Sequence, residues 1–386
     1  MIDPAPLRGR LLATLRVQYP GALRDAGVRL LHPETGDHYT GDRRHLVAAC
    51  RAVAVFATGA VADGPDWCVD AAKHGLAFLE SAHRAGGTSD IAGGFENTEP
   101  GDGGGAGHPG YHPVVTAAGD PVHAPQPAYG HAFVLLAYAR AAEAGIQGAT
   151  AGLDAAADLL EERFHDGTGC LRSDRGPAWE DREPYRGQNA NMHACEAYIA
   201  AYEATDDRSY LARAGRIARR ITVDLAAETD GLLWEHYTDE WDHDFGYNAD
   251  EPRHQFRPPG YQPGHHVEWA KLLALLDRYG AGNAPDDGWG ARAMALFEAG
   301  IGLGWTDGGF AYTVDADGEV IVGDRYGWAL AEGIGAAAAL AERAVDADDE
   351  SRGDRLRSWH DRLLAAVPAY RGPAGVWYEK RLAAEA

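Results

Sequence analysis

Residues 185–223 read YRGQNANMHACEAYIAAYEATDDRSYLARAGRIARRITV. Two helices joined by a minimal turn account for this stretch. Leu211, Ala214, Ile217 and Ile221 recur at helical spacing, and Thr205-Asp206-Asp207 supplies the caps between antiparallel neighbours. The same pattern runs through the chain: Val69, Ala72, Leu76 and Leu79 fall on one face, and Gly280 stands where a helix should stop. The periodicity predicts eleven helices, over 4–18, 42–61, 67–84, 129–145, 150–164, 189–205, 207–223, 264–279, 287–301, 325–345 and 350–368. Between helix pairs lie short aromatic and glycine-rich segments. Residues 310–322, FAYTVDADGEVIV, alternate around Asp317-Gly318 as a hairpin does. Residues 93–126 are rich in Gly, Pro and His and lack periodicity, so they are expected to form a long loop within the domain. No flexible linker interrupts the repeat. The expectation is one all-α domain over 1–386, a closed or stacked array of helix pairs.

The 386 residues carry 35 basic and 58 acidic side chains, a formal charge of −23. Only Lys73, Lys271 and Lys380 are lysines; the other basic residues are arginines. Such a chain is repelled by nucleic acid and by anionic membranes, so neither is expected as a partner. The excess of carboxylates fits a protein working in high salt, or an arginine-for-lysine bias of a GC-rich genome. No apolar run has the length of a membrane helix, and MIDPAPLRGR lacks a signal core, so a cytoplasmic location is expected. The four cysteines, Cys50, Cys68, Cys170 and Cys195, show no metal or disulfide spacing.

Chemistry concentrates where loops enter helices: around Arg43-Arg44-His45, Tyr185 to Glu196, Pro263 to Trp269, and Asp324 to Glu332. His193 and Glu196 are three apart, as are His265 and Glu268, so each pair shares a helix face. A histidine at a helix start feels the positive end of the dipole, which favours a neutral ring able to accept a proton. Each histidine has a bland reading as a structural residue. A metal centre is a third reading, although His-Glu-x-x-His is absent and carboxylate-bridged bundles use Glu-x-x-His. Trp234, Tyr237, Trp241, Tyr247, Trp269 and Trp328 are either core or stacking platforms for sugar rings. The glycine run 101–107 lacks the context of a phosphate loop, and no Gly-x-Ser-x-Gly elbow occurs. A glycosidase would need two opposed carboxylates, for which Glu235 and Glu268 are the candidates.

RRHLVAACR, AAKHGLAFL, YGHAFVLLAYA, YRGQNANMHACEAYIAAYEAT, LLWEHY, RPPGYQPGHHVEWAKLL, GGFAYTVDADG and GDRYGWALAEGIGAAAAL together resemble the N-acylglucosamine 2-epimerase superfamily, from about Arg44 to Tyr378. YRGQNANMH and QPGHHVEWAK are most similar to its mannose-isomerase-like branch. The resemblance implies an (α/α)6 barrel and cofactor-free chemistry on a monosaccharide. One histidine removes the proton alpha to the carbonyl, and a cis-enediolate is reprotonated at C1 or C2. It implies His265 as a catalytic histidine, Glu268 as its neighbouring carboxylate, Arg44 as the enediolate-stabilising cation and His193 as the ring-opening or hydroxyl-binding histidine. His131 and Trp328 match pocket-lining positions. Tyr129, Asn191, Trp234, Glu235, Trp269 and Arg325, in or beside these segments, are further candidates for sugar contacts. The family's last helix, with its second catalytic histidine, follows a Gly-x-Trp-Tyr segment. Here that segment is Gly375 to Tyr378 and the sequence ends at Ala386, so the twelfth helix is expected to be missing, with His131 or His193 as substitutes. Position 327 is Gly where relatives often carry His. Three functions stay open: a mannose-to-fructose isomerase, a 2-epimerase of glucose/mannose or N-acylhexosamines, and a catalytically impaired sugar-binding relative. Homo-oligomerisation stays open as well.

Overall fold

A computed structural model describes residues 5–19, 21, 27–39, 41–85, 110–122, 124–180, 182, 184–306 and 308–383. In chain order the elements are α1 (Ala5–Gln18), β1 (Arg43–His45), α2 (Leu46–Val61), α3 (Trp67–Phe78), β2 (Val114–Thr116), β3 (Gln126–Pro127), α4 (Ala128–Glu143), α5 (Ala149–Arg163), β4 (Asp174–Arg175), β5 (Arg186–Gly187), α6 (Gln188–Thr205), α7 (Arg208–Arg219), β6 (His236–Tyr237), α8 (Pro263–Arg278), α9 (Gly288–Gly304), β7 (Trp305–Thr306), β8 (Gly309–Phe310), β9 (Thr313–Val314), β10 (Val320–Val322), β11 (Arg325–Tyr326), α10 (Gly327–Asp346), α11 (Glu350–Ala366) and β12 (Lys380–Arg381). The described residues thus hold eleven α-helices, as the periodicity predicts.

Helices α2, α4, α6, α8 and α10 form an inner layer, and α3, α5, α7, α9 and α11 back them from outside, each against its predecessor in sequence. Helix α1 joins the outer side against α2. Inner helices are alanine- and leucine-rich and buried almost all round, as a helix enclosed by neighbours must be. Among the described residues, no helix stands between α10 and α2.

Each helix pair returns to its own start. The strand before an inner helix pairs antiparallel with the strand after its outer partner: β1 with β2, β3 with β4, β5 with β6 and β11 with β12. Before α8 the same place is taken by Tyr261, which exchanges backbone bonds with Val314 of β9. This return explains why the inner helices lack capping side chains. Orphan N–H groups at a helix start need acceptors. Here Leu46, Ala128, Gln188 and Gly327 donate to the carbonyls of Pro113, Ser173, Glu235 and Glu379. By contrast, α7 begins on an ordinary cap, with the Asp207 carboxylate accepting from Ser209 N–H at 2.8 Å.

Some boundaries differ from the sequence expectation. The helix predicted over 42–61 starts at Leu46 because residues 43–45 pair as β1. The spans predicted over 67–84 and 207–223 end as wider π-turns, Leu79–His83 and Arg220–Leu225. The hairpin expected over 310–322 is β9–β10, turning at Gly318 with φ +85°; Phe310 belongs to the separate β7–β8 ladder. Of the loop expected over 93–126, residues 93–109 and 123 lie outside the described residues, while 114–116 form β2.

Candidate active site

The starts of the inner helices and their ladders gather at one end of the ring. His265 sits in the first turn of α8 and is 5% exposed. Its Nδ1 lies 2.9 Å from both carboxylate oxygens of Glu235, on the loop leading into β6. The Glu235 carboxylate also accepts from Gln188 Nε2 at 2.8 Å. Trp269 Nε1–H donates to Gln188 Oε1 at 2.7 Å, which turns the Gln188 amide nitrogen toward Glu235 and beside Nδ1. Nδ1–H therefore donates to the carboxylate, and Nε2 of His265 keeps its lone pair. Burial opposes ionisation of Glu235, but the His265 ring and the Gln188 amide outweigh it and hold its pKa below the ordinary carboxylate value.

Position is set by tight packing. A Cβ on Gly264 would lie 2.5 Å from the Trp328 ring, so glycine lets α10 come up against the start of α8. Trp328 then lies over His265, with ring centroids 5.2 Å apart. Glycines 300 and 304 of α9 admit Pro263 and His266 in the same way.

A second cluster lies deeper between the inner helices. His193 Nδ1 of α6 is 3.0 Å from Glu196 and 3.7 Å from Glu268 of α8. The edge of Tyr129 and the face of Phe133, both on α4, enclose the imidazole. Lys271 of α8 pairs with Glu332 of α10 and stands 3.7 Å from Glu196. Arg51 of α2 lies over the Phe133 ring at 4.5 Å and donates to the Tyr129 hydroxyl oxygen at 3.4 Å, and its charge acts on Glu268 and Glu196. Burial lowers the pKa of His193 although Glu196 pulls the other way. Burial, then the Glu332 charge, pushes Glu268 well above the usual carboxylate range. Burial opposes ionisation of Glu196, but Lys271, followed by His193, overrides it and lowers its pKa. His193, Glu196 and Glu268 bring three ligand atoms within 4.8 Å of one another, a spacing that a divalent cation could bridge, but the Lys271 ammonium already supplies positive charge there.

The structure brings together His265, Glu235, Trp328, His193, Glu268 and Tyr129 among the residues singled out from sequence. It reassigns others. Glu268 does not orient His265: it faces His193, and Glu235 holds His265. Because both Glu235 oxygens are engaged by His265, an opposed carboxylate pair with Glu268 is not available for glycosidase chemistry. Arg44 in β1 is 3% exposed, donates to the carbonyls of Gly41 and Arg43, and has Arg29 and Asp42 as charged neighbours. His131 accepts from Tyr111 N–H and donates to the Pro127 carbonyl, so both ring nitrogens serve the backbone. Asn191 spends its amide on Leu171 and Gly187. Trp234 donates to the Asp244 carbonyl and packs on Phe245 and Tyr261. Trp269 is wholly buried behind Gln188. Arg325 lies in β11 beside Gly309 and Tyr370. Sequence reasoning missed Arg51, Gln188 and Lys271. The available signal was a lone arginine inside the apolar run LVAACRAVAVF, and one of the chain's three lysines one turn after Glu268.

Fold and pocket together define a double-layered helical ring with a buried histidine–carboxylate site at one end, the architecture of sugar isomerases and epimerases. The model of the N-acylglucosamine 2-epimerase (GlcNAc 2-epimerase) family matches residues 31–385, and the chain belongs to that family. It is 42% identical over 258 residues to a D-mannose isomerase of Thermobifida fusca, a match spanning 66% of this chain and 62% of that protein. It is 32% identical over 345 residues to a D-mannose isomerase of Marinomonas mediterranea, covering 88% of this chain and 81% of the relative. A crystal structure of D-mannose isomerase superposes with a TM-score of 0.85 at 30% identity, covering 98% of this chain and 90% of the other. The fold is thus the (α/α)6 type.

Proposed function

We propose that the protein is a sugar aldose–ketose isomerase of the mannose-to-fructose type. The observation that carries this reading is His265: buried at a helix start, its Nδ1–H donating to the Glu235 carboxylate, and its Nε2 left to act as a base. The family and the D-mannose isomerases it resembles support the substrate class. An open-chain aldose bound beneath Trp328 loses its C2 proton to His265 Nε2, giving a cis-enediolate. The Glu235 carboxylate stabilises the imidazolium that forms. The Arg51 guanidinium opposes the developing negative charge, a role a fixed cation performs without reorganisation. Tyr129, His193 and Glu268 hold sugar hydroxyls. Return of hydrogen to C1 gives the ketose; return to the opposite face of C2 would give the epimer. The proposal extends to a single catalytic domain acting on a free monosaccharide in the cytoplasm.

The test is proton NMR in D₂O with mannose, glucose and fructose. Mannose and fructose should interconvert with solvent deuterium entering at the carbon beside the carbonyl. His265→Ala should lose turnover by about 10²-fold or more with its fold intact, the size of a general-base contribution. Glucose formed from mannose in place of fructose would make the protein a 2-epimerase. Full turnover in the alanine variant would remove His265 as the base.

A further inference from the structure

Isomerisation moves two protons. One passes from C2 to C1, and His265 serves both carbons if they are reached from one face. The other must leave O2 and arrive at O1. The inner cluster has the composition for this second transfer. Glu196 on α6, Glu268 on α8 and Glu332 on α10 are three carboxyls, facing two cations, Lys271 and Arg51. Lys271 pairs with Glu332 and lies 3.7 Å from Glu196. Among the described residues no lysine or arginine makes a contact ion pair with Glu268, on which Lys271 and Arg51 act from farther off; the group it meets is His193 Nδ1 at 3.7 Å, which also contacts Glu196 at 3.0 Å. A buried carboxyl with no cation in contact tends to keep a proton. The remaining charged or titratable groups around the cluster are Arg51 from α2, Tyr129 from α4 and His265 at the start of α8.

We propose that Lys271 is a positioning residue whose ammonium, spanning Glu332 and Glu196, engages both carboxyl groups and leaves the cluster's exchangeable proton to Glu268 and His193, which carry it between O1 and O2 of the sugar. This rests on the isomerase reading above. In the forward direction His265 Nε2 takes the C2 proton, the C2–H electron pair becomes the C1=C2 bond, and O1 takes the proton of the Glu268–His193 couple. The O2–H proton then returns to the couple as C2=O forms, and His265 delivers its proton to C1. Nothing is gained or lost over the cycle, and no second carbon base is required. The direction of the shifts agrees: Lys271 is held protonated by Glu332 and Glu196 against the effect of burial, and Glu268 titrates well above the usual range.

The test compares the kcat–pH profiles of the full-length protein with those of Lys271→Met, Lys271→Arg and the double variant Lys271→Met/Glu332→Gln. Thermal melts and far-UV dichroism serve as fold controls. Losing the ammonium, which holds the Glu196 pKa down, lets Glu196 compete for the proton and leaves the Glu332 charge uncompensated beside the couple. Lys271→Met should therefore lower kcat by about tenfold or more, leave KM within about threefold and move the alkaline limb upward. Lys271→Arg should keep the wild-type profile. The double variant, which removes one carboxylate with the ammonium, should bring the limb back. An unshifted profile in Lys271→Met, an arginine variant as impaired as the methionine one, or a double variant no better than the single one would each overturn the role of Lys271. A wild type that exchanges no solvent hydrogen into any of the three sugars would overturn the isomerase reading and this inference together.

Discussion

Arg44 and Arg51 lie seven positions apart, and their fates differ because of what precedes each. Arg44 is held in a strand that pairs with β2, and its guanidinium donates to the carbonyls of Gly41 and Arg43. Arg51, two turns into α2, looks across the ring toward Glu268 and Glu196. Arg51→Ala should therefore reduce kcat/KM by about 10²-fold or more with little change in melting temperature, the size expected for a cation that opposes transition-state charge. Arg44→Ala, which removes the donors to the Gly41 and Arg43 carbonyls, should lower the melting temperature. Steady-state kinetics and a melt on both variants check this, and the reverse pattern would exchange their roles. His265, His193 and Trp328 could be read from sequence because helix-start histidines and aromatic segments are local patterns. The partner of His265 could not. Glu268, three residues on, shares its helix face, but the ring is gripped by Glu235, thirty residues earlier and brought in by a loop. Nor does sequence reveal that both nitrogens of His131 go to backbone groups, because Tyr111 N–H arrives from a distant segment.

At the scale of elements, the helices were legible almost to the residue because each is long, alanine-rich and periodic. Their starts were less so. The carbonyls that satisfy the first N–H groups come from returning strands of two or three residues, too short to leave a pattern. Buried histidines act as joints at these places. His131 fastens α4 to residues 110–111, and His266 links α8 to Leu233. His83 ends its π-turn with a contact to the His112 carbonyl. Burial lowers each of these three rings to about 4. An unfolded chain protonates such rings near pH 6.5, so between roughly 6.5 and 4 the unfolded state binds more protons than the folded one. Their stabilising effect is complete above that window and drains away as pH falls through it, on the order of 1–3 kcal/mol per ring. Melting temperature should fall steadily from neutral pH toward pH 4. A flat curve across the window would contradict the buried, neutral state of these rings.

For the whole molecule, the charge of −23 is the dominant electrostatic fact. Like charges at this density repel across the surface, and salt screens them within about 10 Å at 0.1 M and about 3 Å at 1 M. Raising KCl from about 0.1 M to about 2 M should raise the melting temperature, as scanning calorimetry can record. A drop with salt would mean that surface arginine–carboxylate pairs outweigh the repulsion. The plan of the ring was readable from the repetition of helix pairs, and so was the end that gathers the candidate residues, where loops enter helices; the short ladders that close there were not.

Those ladders have one more implication. Arg51, Tyr129, His193, His265 and Trp328 come from five successive strand-bounded hairpins of the chain. On the isomerase reading proposed above, no fragment of two or three hairpins holds all five. Catalysis is therefore a property of the assembled circle, and turnover should vanish in denaturant at the same concentration at which the last of these hairpins lets go of its neighbours.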